Sequence, residues 1–256
     1  MLETKRHHTS PSPTNKEFVF GIQSVIEAIK SGQEIDKILV QRELGMAEVV
    51  KLAEEREIPV QRVPLEKLNR ISRKNHQGVM GFIAAINYVQ LHNVVSGIFE
   101  KGETPLLLLL DRITDVRNFG AIARSAECMG VHALIVPSRG AAQINSDALK
   151  TSSGALTHLP VCREVNFFNT VRYLQESGIQ IIACTEKTNQ ATFEIDFKVP
   201  TAILIGSEED GISPDLLRKV DALAKIPMSG KVESLNVSVA TGMILYEAQR
   251  QRLVKV

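Results

Sequence analysis

The sequence predicts an α/β protein built on a mostly parallel sheet, and three observations carry that expectation. Short, near-continuous apolar runs recur at residues 106–110, 133–136, 179–184, 202–205 and 222–226. Strands without polar alternation are buried on both faces, which is the habit of parallel sheets. Helical patterns lie between them, at 121–129, 167–176 and 214–219, and such alternation builds a sheet covered by helices on both sides. Several runs end in small or polar residues, and ligands of such sheets bind at the carboxyl ends of strands.

A smaller α/β unit precedes this pattern. Residues 1–16 are polar, carry Pro11 and Pro13 and show no periodicity, so a disordered tail is expected there. His7 and His8 within it read as solvated side chains. Ile22, Val25, Ile26 and Ile29 fall on one face of a helix. Residues 37–40 read as a buried strand. Met46, Val49, Val50 and Ala53 give a second helical face. A short strand at 59–63, a helix opened by Pro64 and a strand over 78–86 complete the unit. The expected division is a tail over 1–16, a first domain over 17–87, a connector with one short helix over 88–104, and a second domain over 105–256.

Composition narrows the class. The chain is 44% hydrophobic but has no Trp and only 5% aromatics, so the core must rest on Leu, Ile, Val and Ala. Its net charge of +1 does not announce a basic nucleic-acid binder, although a local patch can hide in a balanced total. Cys128, Cys162 and Cys184 are far apart and form no C-x-x-C pair, which argues against a disulfide framework or a zinc site. A reducing cytoplasm fits that usage. The longest apolar run, 106–110, is far short of the ~20 residues a membrane helix needs, and no secretory h-region is visible.

Familiar catalytic fingerprints are missing. No G-x-G-x-x-G or G-x-S-x-G occurs, which removes the dinucleotide loop and the nucleophile elbow. Gly206 and Gly211 have the spacing of a phosphate loop, but Ile212 stands where its lysine would be. Ser207, Glu208, Glu209 and Asp210 lie between them, and the three acidic groups would repel phosphate and suit a cationic or hydroxyl-bearing ligand. His92, His132 and His158 are isolated.

Three other stretches invite function. In 111–130, Asn118 sits near a helix start and Arg124 follows six residues on; Asn118 reads equally as a cap and Arg124 as an anion contact. In 226–252 a polar loop with Gly230, Ser234 and Asn236 enters a long helix expected to be amphipathic; Ser234 and Asn236 can cap it, bind a ligand, or both. Arg70, Arg73, Lys74 and His76 form a charge run that is either solvated or a phosphate-contacting RNA patch. The small-residue stretch 138–156 reads as a loop with a short helix.

Taken together, "NFGAIARSAECMG", "ILIGSEEDGIS" and "IPMSGKVESLNVSVATG" resemble the three motifs of the SpoU (TrmH) family of RNA ribose 2′-O-methyltransferases, in the SPOUT superfamily. Residues 18–86, with "FGIQSVIEAI" and "HQGV", resemble that family's N-terminal substrate-binding domain. The stretch "GVHALIVPSRGAAQINSDALKTSSGAL" looks most like the branch acting on a guanosine of 23S ribosomal RNA. Val116 stands where the family often has Pro.

The resemblance implies a C-terminal SPOUT-type parallel sheet with a deep trefoil knot. It also implies a homodimer, no metal, and S-adenosylmethionine as cofactor. Backbone groups after Cys184, Ile205 and Ile226 would hold the cofactor, with Thr185, Ile205, Gly206, Gly211, Ile226, Met228, Ser234 and Leu235 as its contacts. Asn118, Arg124, Glu208, Ser234 and Asn236 would form the catalytic set, with Arg124 also touching RNA. Transfer RNA is the alternative substrate, and a non-catalytic RNA-binding role in ribosome assembly is the alternative from another class.

Overall fold

The computed structural model describes residues 18–232 and 234–253; the tail expected over 1–16 lies outside the described residues. The first unit contains β1 (Phe18–Phe20), α1 (Ile22–Lys30), β2 (Ile35–Gln41), α2 (Ala47–Glu55), β3 (Val60–Val63), α3 (Leu65–Ile71) and β4 (Val79–Ile83). Its sheet runs β1-β4-β2-β3 and is mixed, with β2 and β3 parallel and β4 antiparallel to both neighbours. Three of the four periodic residues of α1 are buried: Val25, Ile26 and Ile29 pack on Ile38, Val40 and Val79, with Ile22 partly buried beside them. The β1 strand is too short for any periodicity to reveal. It is held by pairing, with Val19 opposite Gly81.

The strand expected over 78–86 stops at Ile83 because the chain changes partners. Ala84 N–H donates to Glu34, and Ala85 N–H donates to the carbonyl of Ile144 in the second unit. The expected connector then proves to be structural. Tyr88 bridges to Val161, and α4 (Leu91–Glu100) lays Leu91, Val95 and Ile98 on the apolar cluster around Leu107 and Leu109. A one-face stripe of three apolar residues is enough once a sheet face awaits it.

The second unit follows with β5 (Leu106–Leu110), α5 (Val116–Cys128), β6 (Ala133–Pro137), α6 (Ser146–Thr151), β7 (Val161–Glu164), α7 (Phe167–Glu176), β8 (Gln180–Cys184), β9 (Thr201–Ile205), α8 (Pro214–Leu217), β10 (Ala222–Ala224) and α9 (Val237–Leu253). Six strands form one sheet in the order β10-β8-β9-β5-β6-β7, and every pair in it is parallel. The five-leucine run is the central strand. Leu106, Leu108 and Leu110 face the layer holding α5 and α9, while Leu107 and Leu109 face that holding α4 and α7. Burying both faces explains why no polar residue interrupts it; each such leucine contributes about 1.5–3 kcal/mol.

Three expectations need correction. The edge strand β7 went unseen because Arg163 and Glu164 follow its two apolar residues. β10 ends at Ala224 rather than 226, since Lys225 turns to pair with residues 190 and 191. Helix α9 is not amphipathic in the simple sense. It buries Val237, Thr241, Ile244, Leu245 and Ala248, yet Val239, Met243 and Tyr246 stand exposed along another face. Its far end is fastened by Arg252, whose guanidinium donates to the carbonyls of Thr104, Pro105, Phe197 and Val199.

The tightest constraint lies at the end of β9. A Cβ on Gly206 would sit 2.2 Å from the backbone carbon of Gly211 and the nitrogen of Ile212. Neither neighbour is a flexible side-chain end that could move aside. Gly206→Ala is therefore expected to cost about 3 kcal/mol or more, read as a fall in the denaturant midpoint; a midpoint equal to the parent's would remove this constraint from the account.

Candidate active site

The site forms where neighbouring strands β9 and β5 deliver their loops to the same edge of the sheet. The ladder continues one residue past β5, with Asp111 N–H donating to Ile205 at 2.8 Å. The buried Asp111 carboxylate accepts from Ser213 N–H at 3.0 Å. Arg112 follows in the left-handed region at φ 59°. Its guanidinium reaches across to the second loop, donating to Asp210 at 3.1 Å and to the Gly211 carbonyl at 3.0 Å. Both residues escaped the sequence reading, and the sole signal was a charged pair directly after a buried strand.

The second loop closes on itself. Ser207 and Gly211 form an antiparallel bridge, and Gly211 adopts φ 65°, a conformation that glycine takes at little cost. Pro214 opens α8 at its first turn. This geometry presents Glu208 outward, exposed and toward the third loop.

Asn236 joins the three loops. Its amide Nδ2 donates to Glu208 Oε1 at 2.7 Å and to Asn118 Oδ1 at 3.0 Å. Its Oδ1 accepts from the N–H of Ser238 at 3.0 Å and of Val239 at 3.4 Å, and from the Ser238 hydroxyl. Glu208 Oε1 also accepts from Val237 N–H at 3.0 Å. The carboxylate accepts only, and the helix N–H groups donate only, so the orientation of the amide is determined. Asn236 thus caps α9 and joins the loops at once.

The first loop differs from expectation in one detail. The cap of α5 is Asp115, which accepts from Asn118 N–H at 2.7 Å. Asn118 lies inside the first turn, and its side chain is left to meet Asn236. Val116 occupies the first helical position, where Pro is readily accepted, so the turn stands without the family's Pro.

The remaining expected residues divide. Arg124 does not join the Asn118–Glu208–Asn236 cluster. It is exposed on α5 between buried neighbours and forms no hydrogen bond or ion pair among the described residues. Within the chain, then, Asn118, Glu208, Ser234 and Asn236 do not hold Arg124 by hydrogen bonds. Ser234 is exposed in the loop before Asn236 and does not take part in the cap.

Thr185, Gly206 and Ile226 follow β8, β9 and β10, which are adjacent in the sheet, so their loops emerge side by side. Thr185 N–H is bound to Ala224, leaving its hydroxyl near Glu186. Ile205 is buried in the core and Ile226 packs against it, so neither side chain faces a ligand. Met228 and Leu235 expose apolar surface on the third loop.

In the first unit Arg70, Arg73 and Lys74 are exposed at the end of α3. His76 is not available to RNA. It is buried, one ring nitrogen meets Asn69 at 3.0 Å, and the other accepts from Gly78 N–H at 3.0 Å. Its role is to shape the turn before β4. The small-residue stretch is structural too: α6, capped by Asn145, packs so closely on α5 that a Cβ on Gly120 would lie 2.6 Å from Thr151.

The cleft around Asn118 encloses about 610 Å³ and is lined by Arg112 against the carboxylates of Asp115, Glu208, Glu209 and Asp210. Among the described residues no group of His, Cys, Asp and Glu is placed to hold a metal, and no helix is long and apolar enough to cross a membrane. An acidic cleft of this kind attracts a cation and accepts hydrogen bonds from hydroxyl groups.

Known proteins resemble this chain in sequence and fold. Residues 105–246 match the SpoU rRNA Methylase family, and residues 18–89 match the RNA 2′-O ribose methyltransferase substrate-binding domain. Bacillus subtilis YacO, named for the TrmH family of tRNA/rRNA methyltransferases, is 36% identical over 92% of this chain and 96% of its own length. An AdoMet-bound rRNA methyltransferase of Sinorhizobium meliloti superposes with a TM-score of 0.58 at 26% identity, covering 93% of this chain and 88% of that one. The A. aeolicus TrmH/SpoU tRNA modifying enzyme superposes with a TM-score of 0.53 at 32% identity, covering 63% of this chain and 84% of that one. By these matches the chain belongs to the SpoU (TrmH) family of RNA 2′-O-methyltransferases that depend on S-adenosylmethionine.

Proposed function

We propose that the chain methylates the ribose 2′-hydroxyl of a guanosine in 23S ribosomal RNA, in the cytoplasm. The meeting of Asn118, Glu208 and Asn236 at one amide is the observation that carries the catalytic reading over a non-catalytic RNA-binding role. A binding platform has no need to tie three loops at a cleft that repels phosphate. Ribosomal RNA is favoured over transfer RNA by extent of likeness. The Sinorhizobium rRNA enzyme matches both units, whereas the A. aeolicus tRNA enzyme matches 63% of the chain.

In this reading the loops after β8, β9 and β10 hold the cofactor through Thr185, Ile205, Gly206, Gly211, Ile226, Met228, Ser234 and Leu235. Ile205 and Ile226 contribute backbone alone. The bound cofactor supplies a methyl group on a cationic sulfonium. Glu208, Glu209 and Asp210 provide a field that favours that charge. Asn118 and Asn236 hold the ribose in line for transfer. The hydroxyl is a weak acid, so its proton must find an acceptor as the methyl moves. A guanidinium is a poor base and a good phosphate ligand, so Arg124 anchors the RNA phosphate. Arg70, Arg73 and Lys74 add contacts at a distance. The same reading takes the C-terminal sheet as a trefoil knot. Its support is the family likeness over residues 105–246. It also takes the second apolar face of α9 as a homodimer surface.

Three outcomes are expected. Arg124→Ala loses methyl transfer to ribosomal RNA from a strain lacking the gene, with labelled S-adenosylmethionine as donor, yet keeps its cofactor affinity by calorimetry; full turnover would sink the anchor role. Asn236→Asp keeps a cap acceptor for α9 but sets a carboxylate against Glu208. It should slow methyl transfer about tenfold, ~1.4 kcal/mol, because the tie that aligns the ribose is broken, while Asn236→Ala should lose roughly 1 kcal/mol of stability relative to the parent; parental turnover and stability in both would reduce Asn236 to an ordinary loop residue. Tyr246→Glu should shift the mass in multi-angle light scattering toward the monomer, and an unchanged mass counts against α9 as the interface.

A further inference from the structure

We propose that a second, basic cleft between the two units holds the phosphate backbone of single-stranded RNA next to the methylated ribose. This rests on the methyltransferase reading above and adds a site to it. The cleft encloses about 450 Å³ between β2 and β3 on one side and the end of β6 on the other. That is within the roughly 300–1,000 Å³ of ordinary ligand sites, which suits a nucleotide of an open strand rather than a helix.

Its floor is a lock between the units. Tyr88 donates its hydroxyl to Asp36 at 2.8 Å. Arg163 donates to the carbonyls of Ile35 and Asp36 at 3.0 and 3.1 Å, and its guanidinium lies 4.3 Å from the centre of the Tyr88 ring. These bonds join β2 of the first unit to β7 of the second, so the cleft is a built feature of this fold.

Charge is the main argument. Lys37, Arg62, Arg139 and Arg163 line this cleft against the single carboxylate of Asp36. The acidic cleft has the opposite balance, with four carboxylates against Arg112. The two are neighbours, because Gly140 lines both. An RNA strand carries a negative charge at every nucleotide. It can offer a hydroxyl to the acidic cleft, but its phosphates gain nothing there. One step across Gly140 brings them among cations. Arg139, beside that glycine, is exposed and forms no hydrogen bond or ion pair among the described residues. Lys37 approaches the Phe82 ring at 5.1 Å and feels the Asp36 carboxylate, but forms no hydrogen bond or ion pair among the described residues. Both are free to take a phosphate.

The test is the salt dependence of binding to a short fluorescein-labelled single-stranded RNA, read by anisotropy with the full-length protein. Each phosphate contact on a single strand adds about 0.7 to the slope of log affinity against log salt. The Lys37→Gln, Arg139→Gln double variant should therefore lose about 1.4 from that slope. Its S-adenosylmethionine affinity, measured alongside, reports that the fold is intact. A matching duplex should show no such loss. If the parent binds and methylates RNA but the variant's slope equals the parent's, the basic cleft is not the backbone site, and the methyltransferase reading stands. An equal loss on duplex overturns the single-strand assignment. A parent that binds neither RNA nor S-adenosylmethionine removes both.

Discussion

The site depends on a single side-chain amide. Asn236 is asymmetric, with donors at one end and an acceptor at the other. The donor end binds the Glu208 carboxylate and the Asn118 carbonyl, while the acceptor end caps α9. Stability and site geometry are coupled there. The helix starts correctly only when Asn236 points its oxygen inward, and that orientation aims the amide nitrogen at the other two loops. Glu208 reinforces the coupling by accepting from Val237 N–H as well. With Arg252 fastened at the other end, α9 is a rigid bar that carries one wall of the cleft.

The sheet supplies the precision for that meeting. Asn118, Glu208 and Asn236 are far apart in sequence, and only parallel strands bring their loops to one edge. The central strand is buried on both faces by alternate leucines, so it cannot slide without exposing one set or displacing the other. Asp111 then extends the ladder by a residue and ties to Ser213. Arg112 spans the gap to Asp210 and Gly211. The acidic loop is thus held from its sides by hydrogen bonds and from below by the passage at Gly206.

Much of this was legible, and the parts that were not share a physical cause. The leucine run and the Ile22–Ile29 periodicity are local signals, and both became the elements they predicted. The family was legible through the resemblance of three loops to known motifs. Partner choice was not. His76 reads as one more basic residue in a charge run until Asn69 and Gly78 occupy both of its ring nitrogens. Asn118 reads as a cap until Asp115 takes that role three residues earlier. The α4 segment reads as a connector because its three apolar residues mean little without the sheet face they cover. The α9 helix reads as amphipathic because a single pass along the sequence cannot separate a core face from an exposed apolar one.

Net charge was the least informative number of all. A total of +1 neither announces nor excludes an RNA binder, because it averages two adjoining clefts of opposite sign. Electrostatic attraction is screened within about 8–10 Å at ordinary ionic strength, so each cleft acts on what enters it and not on the whole molecule. Opposite signs on either side of Gly140 also solve a chemical problem. Methyl transfer from a sulfonium wants negative potential at the donor, whereas the acceptor arrives on a polyanion. In the proposed reading, separate clefts let the hydroxyl approach the donor while the backbone that bears it remains on the basic side.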